Sequence, residues 1–195
     1  CDKNVGNIVN KNYGTSYIYN GSAIAEPLVT NFIIPEGAAT PTFTWYDGDQ
    51  TAISDLNSVA LQKRNTMPVD AGTYTLVVET PAHDTETATY DASSIRIKVV
   101  IAKVTPTDYI KPTGLTAKCG DKLFAVSLKV NNTNEKGSFV WTDSDVELKA
   151  GSNEQGQTIQ KTAKYIPTDT KNYNEVEGIV LSIQVTHQVV TDSAV

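Results

Sequence analysis

The stretch TFTWYDGD, residues 42–49, returns near the other end of the chain as GSFVWTDSD, residues 137–145. In both, a Trp closes a short alternating apolar run. Asp residues follow two and four positions on: Asp47 and Asp49 after Trp45, Asp143 and Asp145 after Trp141. Other landmarks recur in the same order. Tyr19-Asn20-Gly21 precedes the first Trp and Lys118-Cys119-Gly120 the second. The Gly-containing strands AGTYTLVVETP and QGQTIQKTAKYIP then end at Pro81 and Pro167, and Tyr90 and Tyr173 precede a final alternating run. Such a repeat constrains the fold strongly, because each copy has to bury its own apolar faces within about 100 residues. The chain therefore reads as one β-domain built twice. Residues 1–103 form the first copy with an N-terminal lead-in, residues 104–195 the second with a short C-terminal tail, and the seam lies in IAKVTPTDYIKPTG.

Alternation supports strands, in which successive side chains point to opposite faces. Tyr74, Leu76 and Val78 share one face of TYTLVVE. Ile95, Ile97 and Val99 alternate with Arg96 and Lys98, and Ile179, Leu181, Ile183 and Val185 alternate with Ser182 and Gln184. Further strands are expected over Val126, Leu128 and Val130 and from Ile159 to Tyr165. Turn residues such as Asn20-Gly21, Asp47-Gly48 and Asn131-Asn132 separate these runs at short intervals, which suits a sandwich rather than alternating strands and helices. The one helix-like stretch is ISDLNSVALQKR, residues 53–64, where Ser54 or Asp55 would cap a turn or two. Pro106 and Pro112 stiffen the seam, because proline fixes φ and extends the residue before it. The expected architecture is all-β: two tandem immunoglobulin-like β-sandwich domains in an elongated arrangement.

A net charge of −6 and a pI near 4.9 argue against nucleic acid or an anionic membrane as partner, since both would repel the chain. No apolar run reaches the roughly 18 residues needed to span a bilayer. With no initiating Met, the chain is expected to be a processed form or a segment of a longer protein. The polar start CDKNVGNIVNKN resembles the mature start of a bacterial lipoprotein, in which the leading residue, Cys1 in this chain, carries the lipid. The alternative is a boundary that falls on Cys by chance. The other cysteine, Cys119, sits in the second copy, so the two do not suggest a disulfide.

Catalytic chemistry finds little footing. His83 and His187 fall in different copies and outside any nucleophile motif, and both are read as surface residues. Phosphate-binding loops, dinucleotide fingerprints and zinc-type clusters are absent, so no cofactor is expected. Asp47, Asp49, Asp143 and Asp145 are candidate oxygen donors for Ca²⁺, but two carboxylates per copy fall short of its six to eight ligands. The competing reading makes them turn formers that bond to local backbone. The tryptophans pose a similar choice. Trp45-Tyr46 reads either as a sugar-stacking platform or as part of a core strand, and the pairs Phe43/Trp45 and Phe139/Trp141, two residues apart on one face, favour the core. Trp45, Trp141, Tyr74 and Tyr173 are taken as core markers.

PVDAGTYTLVVET, GSFVWTDSD and YIPTDTKNYNEVEG together resemble the Ig-like β-sandwich repeats of the MBG type found in bacterial surface proteins. The match rests on Tyr19-Asn20-Gly21, Trp45 and Asp70 to Tyr74 in the first copy. In the second it rests on Gly120, Trp141, Pro167, Asp169, Asn172 and Tyr173. Cys119 departs from the pattern by replacing an aromatic, and PAHDTETATY departs by replacing the Asn-Tyr turn. The resemblance implies a non-catalytic stalk, spacer or adhesion element on a bacterial surface or secreted from it, with neighbouring domains of a parent protein as partners. A carbohydrate-binding module recognising a polysaccharide or host glycan is the alternative. A surface filament subunit, donating VGNIVN as a strand to a neighbour, is the second.

Overall fold

A computed structural model describes residues 2–3, 6–129, 136–150 and 156–187. Among these, strands dominate and helix is confined to three short 3-10 segments, so the chain is all-β. Contacts divide it into two compact units, Cys1–Val104 and Thr105–Val195. Cys1, Val130 and Asn131-Asn132 lie outside the described residues.

The first unit contains β1 (Asp2–Lys3), β2 (Val9–Asn10), β3 (Ser16–Ile18), β4 (Phe32–Ile33), β5 (Thr42–Asp47) and β6 (Lys63–Arg64). It continues with β7 (Gly72–Thr80), β8 (His83–Asp84), β9 (Thr89–Tyr90) and β10 (Ser93–Ala102). Its main sheet has the order β3-β10-β7-β5-β6, antiparallel except for the parallel pair β3 and β10. Period-two alternation sends Tyr74, Leu76, Val78, Val99 and Ile101 to one face, where all are buried. The opposing layer is small. β2 pairs with β4, and Ile8, Tyr13 and Phe32 close over the sheet, with Tyr13 stacked on Phe32 at 6.0 Å between ring centroids. Ile8 thus serves its own unit's core, and β2 is already paired.

In this unit two stretches differ from the sequence expectation. Residues 53–64 form a 3-10 segment, Leu56–Gln62, kinked at Val59, followed by β6; Asp55, not Ser54, caps it by accepting the Asn57 N–H at 2.9 Å. Asn57, Ser58 and Val59 are poor α-helix formers, which suits the shorter-range 3-10 pattern. The loop PAHDTETATY holds a hairpin, β8 with β9, and β1 lies parallel along β9.

The second unit contains β11 (Leu115–Lys118), β12 (Gly137–Trp141), β13 (Gln157–Pro167) and β14 (Val176–Thr186) in the order β11-β14-β13-β12. Strand order and directions repeat those of β3-β10-β7-β5, again with only the first and last strands parallel. The equivalence reaches single residues: Tyr19 N–H donates to Ala102 C=O at 2.9 Å, and Cys119 N–H to Thr186 C=O at 2.8 Å. Ile179, Leu181, Ile183 and Val185 all point into the core.

Among the described residues the second layer of this unit is a 3-10 turn, Leu123–Ala125, and a short antiparallel bridge from Lys122 to Glu147. Leu148 N–H donates to Asp121 C=O and Gly120 N–H to Leu148 C=O, both at 2.8 Å, and this brings Leu123 and Leu148 into the core. The strand expected from Val126 does not form over 126–129. The Val126 carbonyl accepts the Trp141 indole N–H at 2.9 Å, so a side chain takes the place of a strand neighbour.

Candidate functional site

Protein groups engage both carboxylates of the Asp-rich turn of the first unit. Asp47 takes the Arg64 guanidinium at 2.7 Å, and Arg64 also lies 5.2 Å over the Tyr74 ring. Gly48 C=O accepts the Thr75 hydroxyl and Gln50 N–H donates to that same hydroxyl, both at 2.8 Å, so the turn folds over the sheet and satisfies the fully buried Thr75. Asp49 accepts the Thr51 hydroxyl at 2.6 Å and pairs with Lys98 at 3.1 Å. In the second unit Asp145 pairs with Lys122 at 3.4 Å and Asp143 is exposed. Among the described residues no three His, Cys, Asp or Glu side chains converge in a way that would hold a metal ion.

The Thr51 hydroxyl, then its backbone N–H and then Lys98 hold the Asp49 carboxyl down at about 2, below its ordinary 3.8. A carboxyl depressed on folding stabilises the fold above its unfolded value and loses that contribution as pH falls through the folded one. The first unit should therefore lose stability between about pH 4 and pH 2, and Asp49→Asn should flatten that part of the profile. Urea unfolding of both chains across this range checks the expectation; parallel pH profiles would refute it.

The four aromatic markers fall into two classes. Trp45 and Tyr74 are buried, each 5% exposed, whereas Trp141 and Tyr173 are half-buried. Trp141 packs against the second core and also lines an open groove of about 730 Å³ with Phe124, Val126, Leu128 and Phe139. Ser127, Lys129, Ser138 and Ser144 supply the polar part of its lining. Tyr46, the other half of the sugar-platform alternative, is 7% exposed and so cannot offer a ring face to a sugar. His83 is not a free surface residue: it stacks on Tyr90 at 4.9 Å with its Nδ1 buried.

A second concavity of the second unit is a cleft of about 380 Å³. Pro106, Tyr165, Pro167 and Tyr173 provide its apolar walls, and Asp108, Lys136, Thr168 and Asp169 its polar groups. Three stretches far apart in sequence are stitched together to make it. Lys136 Nζ pairs with Asp108 Oδ2 at 3.1 Å, Thr168 N–H donates to Lys136 C=O at 2.8 Å, and Asn174 Nδ2 donates to Thr105 Oγ1 at 3.1 Å. The rim loop is knotted by Asp169, whose carboxylate accepts the backbone N–H of Asn172 at 3.2 Å and its side-chain amide at 2.9 Å. Asp169 C=O also accepts the Tyr173 N–H at 3.1 Å, which positions Tyr173 as a wall. Behind it Tyr109 stacks on Tyr165 at 4.8 Å.

The hydrogen bond and charge of Lys136 hold the Asp108 carboxyl below its usual range. Asp108 in turn raises the Lys136 ammonium, with the nearby Tyr173 and Tyr165 phenols adding to the shift. Both groups are therefore ionised throughout the neutral range. Pro167, Asp169, Asn172 and Tyr173 stood out in the sequence as a turn motif. Asp108 and Lys136 did not, since nothing local connects two residues that only the fold brings together. No family model matches the chain, and no curated protein or solved structure matches it.

Proposed function

We propose that the chain is a non-catalytic, load-bearing pair of Ig-like modules, a stalk or adhesion element of an extracellular bacterial protein. The observation that carries this reading is the parallel pairing of the first and last main-sheet strands in each unit, β3 with β10 and β11 with β14. Tension that enters a unit through its first strand and leaves through its last pulls two neighbouring parallel strands past each other. The cross-strand bonds are then strained together in shear instead of being opened one at a time. Val100 N–H to Thr15 C=O and Tyr19 N–H to Ala102 C=O, both 2.9 Å, form the clamp of the first unit; Cys119 N–H to Thr186 C=O belongs to that of the second.

The Ig-like character draws support from the Asp70 to Tyr74 corner. There the Tyr74 hydroxyl donates to the Asp70 carbonyl at 2.8 Å, four residues back, the arrangement of a tyrosine corner in sandwich domains. In the first unit, stalk function also suits an edge treatment that resists strand addition. Lys63 and Arg64 are the whole of the edge strand β6, and short charged edges discourage pairing with other chains. Single-molecule stretching of the chain tests the proposal. Two separate unfolding steps should appear, and Val100→Pro, which deletes a clamp donor, should lower the force of the first unit's step and leave the other unchanged. Unfolding at forces typical of strands opened one bond at a time, or a force indifferent to Val100→Pro in a folded chain, would overturn it.

A further inference from the structure

We infer that the second-unit cleft between Tyr173 and the Asp108–Lys136 pair binds a neutral pyranoside, the uncharged sugar unit of a polysaccharide or glycan. Its volume of about 380 Å³ is near the small end of ligand sites, enough for about one or two sugar rings. Tyr173, the one partly exposed residue among its apolar walls, offers a ring to the C–H face of a pyranose, while Pro106, Tyr165 and Pro167 are themselves buried. The polar groups select among the ligands that such walls would accept. Two carboxylates accept hydrogen bonds, the lining residues Thr168, Tyr165 and Tyr173 carry hydroxyls that can donate or accept, and Lys136 is the one charged donor. Each carboxylate keeps lone pairs beyond those used by Lys136 and Asn172, and the exposed Thr168 hydroxyl has no protein partner among the described residues.

A ligand that fits must therefore bring donors, carry no negative charge and present an apolar face. An anion meets a net negative lining, and an organic cation such as choline, which that lining attracts, brings no hydrogen-bond acceptor for the Lys136 ammonium apart from a lone hydroxyl and is the rival the titration includes. A proline-rich peptide would fill the walls but bring carbonyl acceptors and few N–H donors to a site that already has an excess of acceptors. Vicinal sugar hydroxyls meet the requirement, since each can donate to a carboxylate and accept from the ammonium. The stitching of the rim, by Asp169 on Asn172 and by Asn174 on Thr105, forms the cleft before any ligand arrives and so lowers the ordering cost of binding.

The test is amide NMR titration of the whole chain with the methyl pyranosides of glucose, galactose, mannose and N-acetylglucosamine, with choline and tetraproline as rival probes. At least one sugar should give saturable shifts confined to Lys136, Thr168 to Tyr173 and Asp108. Asp108→Asn and Thr168→Val alter exposed side chains, should leave the spectrum folded, and should each weaken binding about tenfold. Silence of all four sugars at tens of millimolar would overturn the inference. So would shifts mapping to the Trp141 groove, or choline or tetraproline occupying the cleft in place of a sugar. The load-bearing reading is untouched by any of these results, because it rests on the strand pairing and not on the cleft.

Discussion

Replacing Trp45 with Ala is expected to destabilise the first unit by about 3–5 kcal/mol, the usual cost of emptying a buried aromatic site. Trp45 sits in the row Trp45, Leu76, Ile97 across β5, β7 and β10, and its ring lies 6.4 Å from that of Tyr13 in the opposing layer. The hole would be lined by fully buried Leu76 on a central strand, which has little room to collapse. Trp141→Ala should cost the second unit roughly half as much. Its side chain is only partly buried, so less apolar area is lost, and the cost comes partly from the missing indole bond to Val126 C=O. Calorimetry resolves the difference. Trp45→Ala should lower the first unit's melting temperature by more than about 12 °C, while the fluorescence of Trp141 reports an unmoved second unit. Equal losses from the two substitutions would show that the tandem copies use their tryptophans alike, contrary to their burial.

That asymmetry marks the limit of what the repeated motif conveys. Alternation in TYTLVVE, SIRIKVV and GIVLSIQV predicts which side chains face inward, because a strand with one buried face leaves its period in the sequence. The same reasoning fails at Val126 and Leu128. Their alternation is equally regular, but the Val126 carbonyl is taken by Trp141 from fifteen positions away, a bond that no local pattern encodes. Parallel pairing of β3 with β10 is hidden for a related reason: Tyr17 meets Ile101, and the intervening chain carries no mark of which strands will close side by side. The cleft is half legible. Asp169 and Asn172 are close enough in sequence to be read as a turn, and that turn is what places Tyr173. Asp108 and Lys136 come from the seam and from the start of β12, and their meeting depends on the sheet having formed.

Gly156→Ala should cost the second unit about 3 kcal/mol. Gly156 has φ +82°, a left-handed conformation that costs a residue with a β-carbon about 1–2 kcal/mol, and that β-carbon would stand 2.4 Å from the Val185 carbonyl oxygen. Neither side can yield cheaply. The very next residue, Gln157, is in register with Val185 and begins the β13–β14 ladder, so relief requires pulling the two strands apart. Gly178 supplies the control within the same unit. It lies in the bulge where β14 passes Lys164, has φ +69° and has open space around it, so Gly178→Ala should cost only the conformational part, about 1–2 kcal/mol. Urea unfolding followed by Trp141 fluorescence separates the two, and equal costs would mean that strain in φ, not the clash, sets the loss at Gly156. A mechanical consequence follows from position. The carbonyl that anchors Cys119 belongs to Thr186, next to Val185, so forcing β13 away from this end of β14 disturbs the strand that carries the clamp. Gly156→Ala should accordingly reduce the unfolding force of the second unit more than Gly178→Ala does, and by more than their difference in equilibrium stability alone would produce.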